Sequence, residues 1–109
     1  MNSTNSSINL TFSELINGET PVLVDFYTDW CAPCKMMAPI LKELKSQQGD
    51  SINIIKINAE KNPDAAIRYQ VRGVPTLILF QNGKILWQQS GVLQAKQLQS
   101  IIESKIKVN

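Results

Sequence analysis

Residues 24–41 read VDFYTDWCAPCKMMAPIL and contain both cysteines of the chain. They continue a β-branched and aromatic run over residues 21–27. This run has the length of a strand and carries apolar residues at both parities, so it predicts a central strand covered on both faces. Beyond the cysteines, apolar residues recur at helical spacing: Met37, Ile40, Leu41 and Leu44. The stretch therefore predicts a strand and a helix, with both cysteines at their junction.

A second buried strand is predicted over residues 52–57, whose sequence is INIIKI. A strand, a helix and a strand in succession form a βαβ unit, so these two strands should be parallel and joined by a right-handed crossover. Further along, residues 76–80 and 85–89 flank Asn82-Gly83, which is the strongest short-range signal for a hairpin. The last two strands should therefore be antiparallel, which makes the sheet mixed.

Three further helices are predicted from capping residues and apolar spacing. Thr11 and Glu14 stand at capping-box spacing, which predicts a short helix that ends before Pro21. Asn62 and Pro63 provide a cap and a first helical residue for another. The last helix carries an apolar stripe: Leu93, Leu98, Ile101, Ile102 and Ile106. Strands and helices in this order predict an α/β sandwich with a mixed sheet.

A length of 109 residues predicts one domain. Residues 1–7 are small and polar with no periodicity, so we expect a flexible tail there and a single domain over residues 8–109. The formal charge of +2 is not concentrated in any run of Lys or Arg, so we expect no nucleic-acid partner. No stretch approaches the roughly 18 apolar residues of a membrane span. We expect a monomer in the cytoplasm, and a mature periplasmic form stays open because a cleaved signal peptide leaves nothing behind.

Cys31 and Cys34 admit four interpretations: a structural staple, half of a metal site, unrelated core thiols, or a redox pair. In the chain-entropy model a disulfide that closes a loop of about four residues stabilises by only about 2 kcal/mol, so a staple here would be inefficient. A zinc or iron–sulfur site usually needs four Cys or His ligands, and the chain has two Cys and no His. We therefore expect no metal, while an ion shared between two chains stays open.

A redox pair explains the position of the cysteines as well as their spacing. A strand-to-helix junction leaves backbone N–H groups unpaired, and their partial positive charge favours a thiolate at Cys31. Residues i and i+3 of a first turn have Cα atoms roughly 5 Å apart, so Cys34 can attack a mixed disulfide formed on Cys31. Cys31 is the predicted nucleophile and Cys34 the resolving thiol, while Pro33 pre-organises the turn between them.

Two charged residues interrupt the predicted strands. Asp25 and Lys56 each lie inside an otherwise apolar run, where a buried charge is costly unless it is paired or neutralised. A partnership across the two parallel strands is the natural solution. Burial would raise the pKa of Asp25 towards neutrality while Lys56 opposes that shift, which predicts a proton acceptor for Cys34 that acts through water.

The segments VDFYTDWCAPCKMMAPIL and VRGVPTLILFQNGK, followed by Gly91, resemble the thioredoxin family in order and spacing. The resemblance runs from about residue 8 to residue 107. Its specific features are the Trp before the cysteines, the Lys after them, the Pro five residues beyond Cys34 and the downstream Val-Pro-Thr. The resemblance implies a thioredoxin fold, in which helices flank a mixed sheet of four or five strands on both faces. It also implies a cis peptide before Pro75 and the reduction of protein disulfides.

The family resemblance also assigns roles to residues near the cysteines. It makes Cys31–Cys34 the redox-active disulfide, assigns proton transfer to Asp25, and pairs the backbone of Val74 with an extended substrate segment. The other members of the implied recognition groove are Trp30, Ala32, Pro33, Gly73, Pro75, Gly91 and Val92. The resemblance implies that no cofactor is bound, and that NADPH supplies electrons through a flavoprotein thioredoxin reductase. Disulfide-containing proteins are the implied substrates.

Two other functions stay open at this point. The same fold outside the cytoplasm would be a reductant or an oxidant for protein maturation, although such proteins usually carry a signal, an anchor or insertions in the sheet. A non-catalytic module would use the groove at Trp30 and Val74 to hold a partner protein. The presence of both cysteines argues against that module, and activity that survives Cys31→Ser would favour it.

Overall fold

The computed structural model describes residues 11–106, so the tail predicted at residues 1–7 lies outside the described residues. The strands are β1 (Val22–Tyr27), β2 (Asn53–Asn58), β3 (Thr76–Gln81) and β4 (Lys84–Ser90). The helices are α1 (Phe12–Ile16), α2 (Ala32–Gln48), α3 (Pro63–Arg68) and α4 (Ala95–Lys105), and a 3-10 turn spans Gly49–Ser51. The four strands form one sheet in the order β2-β1-β3-β4.

β1 is an inner strand of the sheet, as the sequence predicts. It pairs in parallel with β2 and antiparallel with β3, so the predicted βαβ unit through α2 and the mixed sheet are both confirmed. β3 and β4 form the predicted antiparallel hairpin. Asn82 and Gly83 at its turn have φ values of 54° and 79°, a conformation that Asn and Gly adopt most readily.

Helices cover both faces of the sheet, and the strand residues alternate between two cores. On one face α2 and α4 pack over Leu23 and Leu77. On the other face α1 and α3 lie over Val24, where the rings of Phe12, Tyr69 and Phe80 meet edge to face. Successive side chains of a strand point to opposite faces, so the residues of β1 at the parity of Leu23, which include Asp25, face α2.

Two details differ from the sequence-based expectation. The strand predicted to be buried, β2, lies at the edge of the sheet that residues 11–106 form, and most of its side chains are partly exposed. An edge strand has a neighbour on one side only, so its side chains keep access to solvent. Asn62 occupies the N-cap of α3, but its side chain makes no capping bond within the described residues and donates to the Asn58 carbonyl oxygen at 3.0 Å. The capping box of Thr11 and Glu14 forms as predicted.

A matched pair of isoleucines tests this core. Ile78 of β3 is fully buried, whereas Ile67 of α3 is 75% exposed. Ile78→Ala removes buried methylene and methyl groups and leaves a cavity, so the free energy of unfolding should fall by about 2–5 kcal/mol. Ile67→Ala removes the same atoms from an exposed site and should change it by less than about 0.5 kcal/mol. Urea unfolding of both variants measures the difference, and equal losses would contradict this placement of the core.

Candidate active site

The two cysteines lie between the end of β1 and the first turn of α2. The backbone N–H of Cys31 donates to the carbonyl oxygen of Thr28 at 3.4 Å, which closes a tight turn between the strand and the helix. Cys31 is the N-cap of α2, and Ala32 and Pro33 are its first two helical residues. Pro33 fits at this position because the first N–H groups of a helix have no partner within it.

Cys31 and Cys34 form a disulfide, and their Cα atoms are 5.2 Å apart. The backbone N–H of Cys34 points at the sulfur of Cys31, with 3.1 Å between the nitrogen and Sγ. This donor and the positive end of the α2 dipole both favour a thiolate on Cys31. The charge of the first turn, residues 32–35, comes from Lys35, so no carboxylate there opposes the effect.

The loop before β3 brings its backbone to the disulfide. The carbonyl oxygen of Val74 lies 3.7 Å from the sulfur of Cys31, and the Val74–Pro75 peptide is cis. The Thr76 hydroxyl donates to the carbonyl oxygen of Gly73 at 2.5 Å, and the Gly91 N–H donates to that of Pro75 at 2.9 Å. These bonds fix both sides of the loop, so the Val74 backbone is held beside the cysteines.

An open groove of about 520 Å³ lies beside the disulfide, and we call it the cysteine groove. Five of the residues predicted for recognition line it together with Cys31: Trp30, Ala32, Pro33, Gly73 and Val74. The other three, Pro75, Gly91 and Val92, do not, and Val92 packs against the core beneath α2 and α4. Ala59 also lines the groove, and sequence reasoning missed the rest of the lining: Thr28, Glu60, Ala66, Val71 and Arg72. Most of these residues come from α3 and the loops on either side of it, which approach the cysteines only in three dimensions.

Trp30 forms one wall of the cysteine groove and is 70% exposed, so it is not a core residue. Its indole N–H donates to a carboxylate oxygen of Glu60 at 2.9 Å. The neighbouring Asp29 lies 4.0 Å from the ammonium of Lys61, an exposed pair that contributes little by itself. Asn58 shapes the loop that presents the carboxylate, since its Oδ1 accepts the Glu60 N–H at 2.9 Å. The indole is thus anchored by a loop that follows β2.

Asp25 and Lys56 are partners in the β-sheet register, but the described residues show no direct ion pair between them. The predicted pairing is wrong in this respect: the Lys56 ammonium lies 4.9 Å from the centre of the Tyr27 ring, in an exposed side chain. Both carboxyl oxygens of Asp25 are buried and have no hydrogen-bond partner within residues 11–106. Burial therefore raises the pKa of Asp25 from 3.8 to about 6, and the positive charge of Lys56 opposes the rise, as expected.

A second cavity of about 140 Å³ is lined by Cys34, and we call it the small cavity. Its lining consists of Tyr27, Thr28, Asp29, Cys34, Lys35 and Lys56. The space is large enough for a few water molecules, each of which occupies roughly 30 Å³ in the liquid. Cys34 therefore borders a space of its own, distinct from the groove that Cys31 lines.

Exchange of one disulfide for another is the chemistry that this arrangement supports. A sulfur at a helix N-terminus can attack or leave as a thiolate, and a second sulfur within bonding distance can displace whatever the first has captured. Within residues 11–106, no cluster of three or more His, Cys, Asp or Glu side chains is placed to hold a metal ion. The fold and the site together define a thiol–disulfide oxidoreductase.

Comparisons with known proteins agree with this class. The family model for thioredoxin matches residues 3–104. Thioredoxin of Acidithiobacillus ferridurans is 39% identical over 94 residues, which cover 86% of this chain and 87% of that protein. The chloroplastic thioredoxin Y of Oryza sativa subsp. japonica is 48% identical over 99 residues, which cover 90% of this chain but only 59% of that protein. The structure of a mutant thioredoxin from Halobacterium salinarum NRC-1 superposes with a TM-score of 0.78 at 34% identity, covering 89% of this chain and 84% of that one.

The chain belongs to the thioredoxin family, and Cys31 and Cys34 are its redox pair. Members of this family typically bind no cofactor and work with a reductase and with substrate proteins. In the part of the chain that the structure describes, no helix combines the length and the apolar character needed to cross a membrane.

The buried carboxyl of Asp25 should make the stability depend on pH. Because its pKa rises from 3.8 to about 6 on folding, the folded state binds this proton more tightly than the unfolded state does. The stabilisation is therefore fully present below about pH 4 and is lost as the pH rises through about 6. At about 1.4 kcal/mol per pKa unit, ionisation costs the folded protein about 2–3 kcal/mol at neutral or higher pH.

Asp25→Asn replaces this carboxyl by a neutral group of the same shape. In the disulfide form it should raise the free energy of unfolding by about 2–3 kcal/mol near pH 8 and change it little near pH 4. Guanidinium unfolding at the two pH values measures the effect. Asp29→Asn, at an exposed carboxylate in the turn that follows β1, is the control and should leave the free energy of unfolding nearly unchanged at both pH values. A gain of the same size at both pH values would show that the charge of Asp25 is not its cause.

Proposed function

We propose that the chain reduces disulfides in other proteins by cycling Cys31 and Cys34 between the dithiol and the disulfide. The observation that carries this proposal is the position of the Cys31 sulfur. This sulfur accepts a hydrogen bond from the Cys34 N–H at the start of α2, and Cys31 lines the cysteine groove. A thiolate stabilised there can meet a substrate disulfide that enters the groove. Membership of the thioredoxin family supports the same direction of reaction.

In the first step the thiolate of Cys31 attacks one sulfur of the substrate disulfide. A bond forms between this sulfur and Cys31, the substrate S–S bond breaks, and the leaving thiolate takes up a proton. The Val74 backbone lies next to the attacking sulfur, so an extended substrate segment can pair with it while its side chains contact the apolar wall formed by Trp30 and Pro33. The substrate sulfur is thereby held close to Cys31.

In the second step Cys34 resolves the mixed disulfide. Its thiol gives a proton to the carboxylate of Asp25 through water, and its sulfur then bonds to that of Cys31. The bond between Cys31 and the substrate breaks, and the substrate sulfur leaves as a thiolate that takes up a proton. Asp25 suits this role because a pKa of about 6 leaves most of the group ionised at pH 7 and still makes it a stronger base than an ordinary carboxylate. The charge of Lys56 keeps that pKa from rising further.

A flavoprotein thioredoxin reductase that uses NADPH would return the pair to the dithiol, so the chain itself would need no bound cofactor. The proposed setting is the cytoplasm, where thiols are kept reduced. We propose that the chain acts there as a monomer with a single domain. The equilibrium potential separates this carrier from an oxidant for protein maturation, which would have a high potential and would fail to be recycled by the reductase.

Cys34→Ser should stop the cycle at the mixed disulfide, because the group that releases the substrate is gone. Incubation of the reduced variant with insulin, followed by non-reducing mass spectrometry, should show a covalent adduct through Cys31. Cys31→Ser is the matched control, and it should form no adduct and reduce no insulin with NADPH and thioredoxin reductase. Insulin reduction by Cys31→Ser at the unsubstituted rate would favour a binding module and overturn the proposal.

Asp25→Asn should slow the second step, because Cys34 then lacks its proton acceptor. We expect release of substrate from the mixed disulfide to be slower by about tenfold or more near pH 7, with a smaller loss at alkaline pH where Cys34 ionises without a base. Stopped-flow measurement of both steps locates the loss, since attack by Cys31 should be nearly unchanged. Asp29→Asn controls for the loss of an exposed charge at the small cavity. An unchanged release rate would remove Asp25 from the mechanism.

A further inference from the structure

The turn between β1 and α2 contains a buried hydroxyl that the proposed cycle does not use. Thr28 is only 4% exposed, and its Oγ1 has no hydrogen-bond partner within residues 11–106. Among the described residues, the two carboxyl oxygens of Asp25 are the other buried side-chain polar atoms without a hydrogen-bond partner. A buried polar atom without a partner destabilises a fold, so such an atom beside a reactive group is a candidate for a role in another state of the protein.

Thr28 lies at the boundary of the two spaces that the cysteines line. It borders the cysteine groove together with Cys31, and it borders the small cavity together with Cys34. Its carbonyl oxygen accepts the backbone N–H of Cys31, so the same turn fixes the position of Thr28 relative to the nucleophile. The turn that leads into Cys31 therefore contains a buried neutral hydrogen-bond donor, in a residue that borders both spaces, and this donor has no acceptor within residues 11–106 in the disulfide form.

We propose that Thr28 donates a hydrogen bond to the thiolate of Cys31 once the disulfide has been reduced. This inference rests on the proposed role of Cys31 as the nucleophile. Reduction by a dithiol adds two electrons and breaks the S–S bond, after which Cys34 takes one proton and Cys31 retains a negative charge. A disulfide sulfur is a weak acceptor and a thiolate is a strong one, so the hydroxyl gains its partner only in the reduced protein. Thr28 therefore stabilises the dithiol state selectively.

The size of the effect follows from the strength of a hydrogen bond to an ionised group. Removing one such bond while leaving the shape intact should shift the equilibrium between dithiol and disulfide by about tenfold, which is about 30 mV for a two-electron couple. The charged residues that line the small cavity are Lys56 on β2, Lys35 on α2 and Asp29 in the turn, and those that line the cysteine groove are Glu60 and Arg72. Asp25 lines neither space, but it lies on β1, the strand that leads into the turn. All of them remain in place when only the hydroxyl is changed.

Thr28→Val tests the proposal because it exchanges the hydroxyl for a methyl group of the same size. Equilibration with a dithiothreitol redox buffer should give a population shifted about tenfold towards the disulfide, while Thr28→Ser, which keeps the hydroxyl, should stay within about twofold of the unsubstituted protein. The pKa of the Cys31 thiol, followed by the ultraviolet absorbance of the thiolate, should rise in Thr28→Val and not in Thr28→Ser. Thr28→Ala is a second variant without the hydroxyl, should valine disturb folding.

Stability measurements separate this role from simple packing. Thr28→Val removes an unpaired polar atom from the disulfide form, so its free energy of unfolding should stay the same or rise, whereas that of the dithiol form should fall. Equal changes in the two forms would overturn the proposal, and so would an unshifted redox equilibrium or equal shifts in the valine and serine variants. None of these measurements needs a protein substrate or a reductase. Failure of the unsubstituted chain to reduce insulin would therefore contradict the proposed function separately.

Discussion

The hydrogen bond from the Cys34 backbone to the Cys31 sulfur depends on how rigidly β1 is joined to α2. β1 has a paired strand on each side and a core on each face, so its end cannot move without disturbing both cores. α2 is 17 residues long and buries Met37, Leu41 and Leu44, which fixes its axis over the sheet. Because Thr28 and Cys31 close a single turn between β1 and α2, the first turn of the helix is held with the Cys34 N–H directed at the Cys31 sulfur.

Magnitudes show why this rigidity matters. A helix terminus stabilises a nearby anion by only about 0.3–1 kcal/mol at an exposed site, and by about 2 kcal/mol in a partly buried one. Cys31 is almost completely buried, and desolvation of a thiolate acts in the opposite direction. The charge of Cys31 is therefore favoured only when donors point directly at the sulfur, as the Cys34 N–H does. A small rotation of α2 would remove the donor and leave the desolvation.

Asp25 on β1 is also buried, but unlike the Cys31 sulfur it receives no hydrogen bond from residues 11–106. A carboxylate whose two oxygens are buried and find no hydrogen-bond partner among the described residues lowers the stability of a small domain, for which a total of about 5–15 kcal/mol is typical. The structure could have relieved this cost by a direct contact with Lys56, whose backbone is in register with that of Asp25. The Lys56 ammonium instead lies over Tyr27 in contact with water, where it is not desolvated. Asp25 thus keeps a pKa near neutrality, a property that a tight ion pair would abolish.

The sequence predicted the elements that depend on local pattern, and it was less informative where several elements meet. The β1 and α2 periodicities, the Asn82-Gly83 turn and the position of both cysteines are local properties, and the structure agrees with them. An apolar run such as that of β2 looks the same whether the strand is central or at an edge, so its exposure could not be foreseen. The missing contact between Asp25 and Lys56 has a similar reason. The βαβ unit determines which backbone positions are in register, but the long lysine side chain can place its ammonium in water instead of beside the buried carboxylate.

The cysteine groove shows the same limit of local sequence patterns. One wall of the groove is the exposed indole of Trp30, which donates a hydrogen bond to Glu60. Glu60 belongs to a loop that is distant from the cysteines in sequence, so the motif around the cysteines does not predict this contact. The polar group that lies beside the Cys31 sulfur on this side is the Val74 backbone, which can pair with an extended chain of almost any sequence. Contacts of this kind bind weakly, since little apolar area is enclosed by an open groove. In the proposed cycle the covalent bond to Cys31 would therefore supply the attachment, and its cleavage by Cys34 would release a product that the groove alone does not retain.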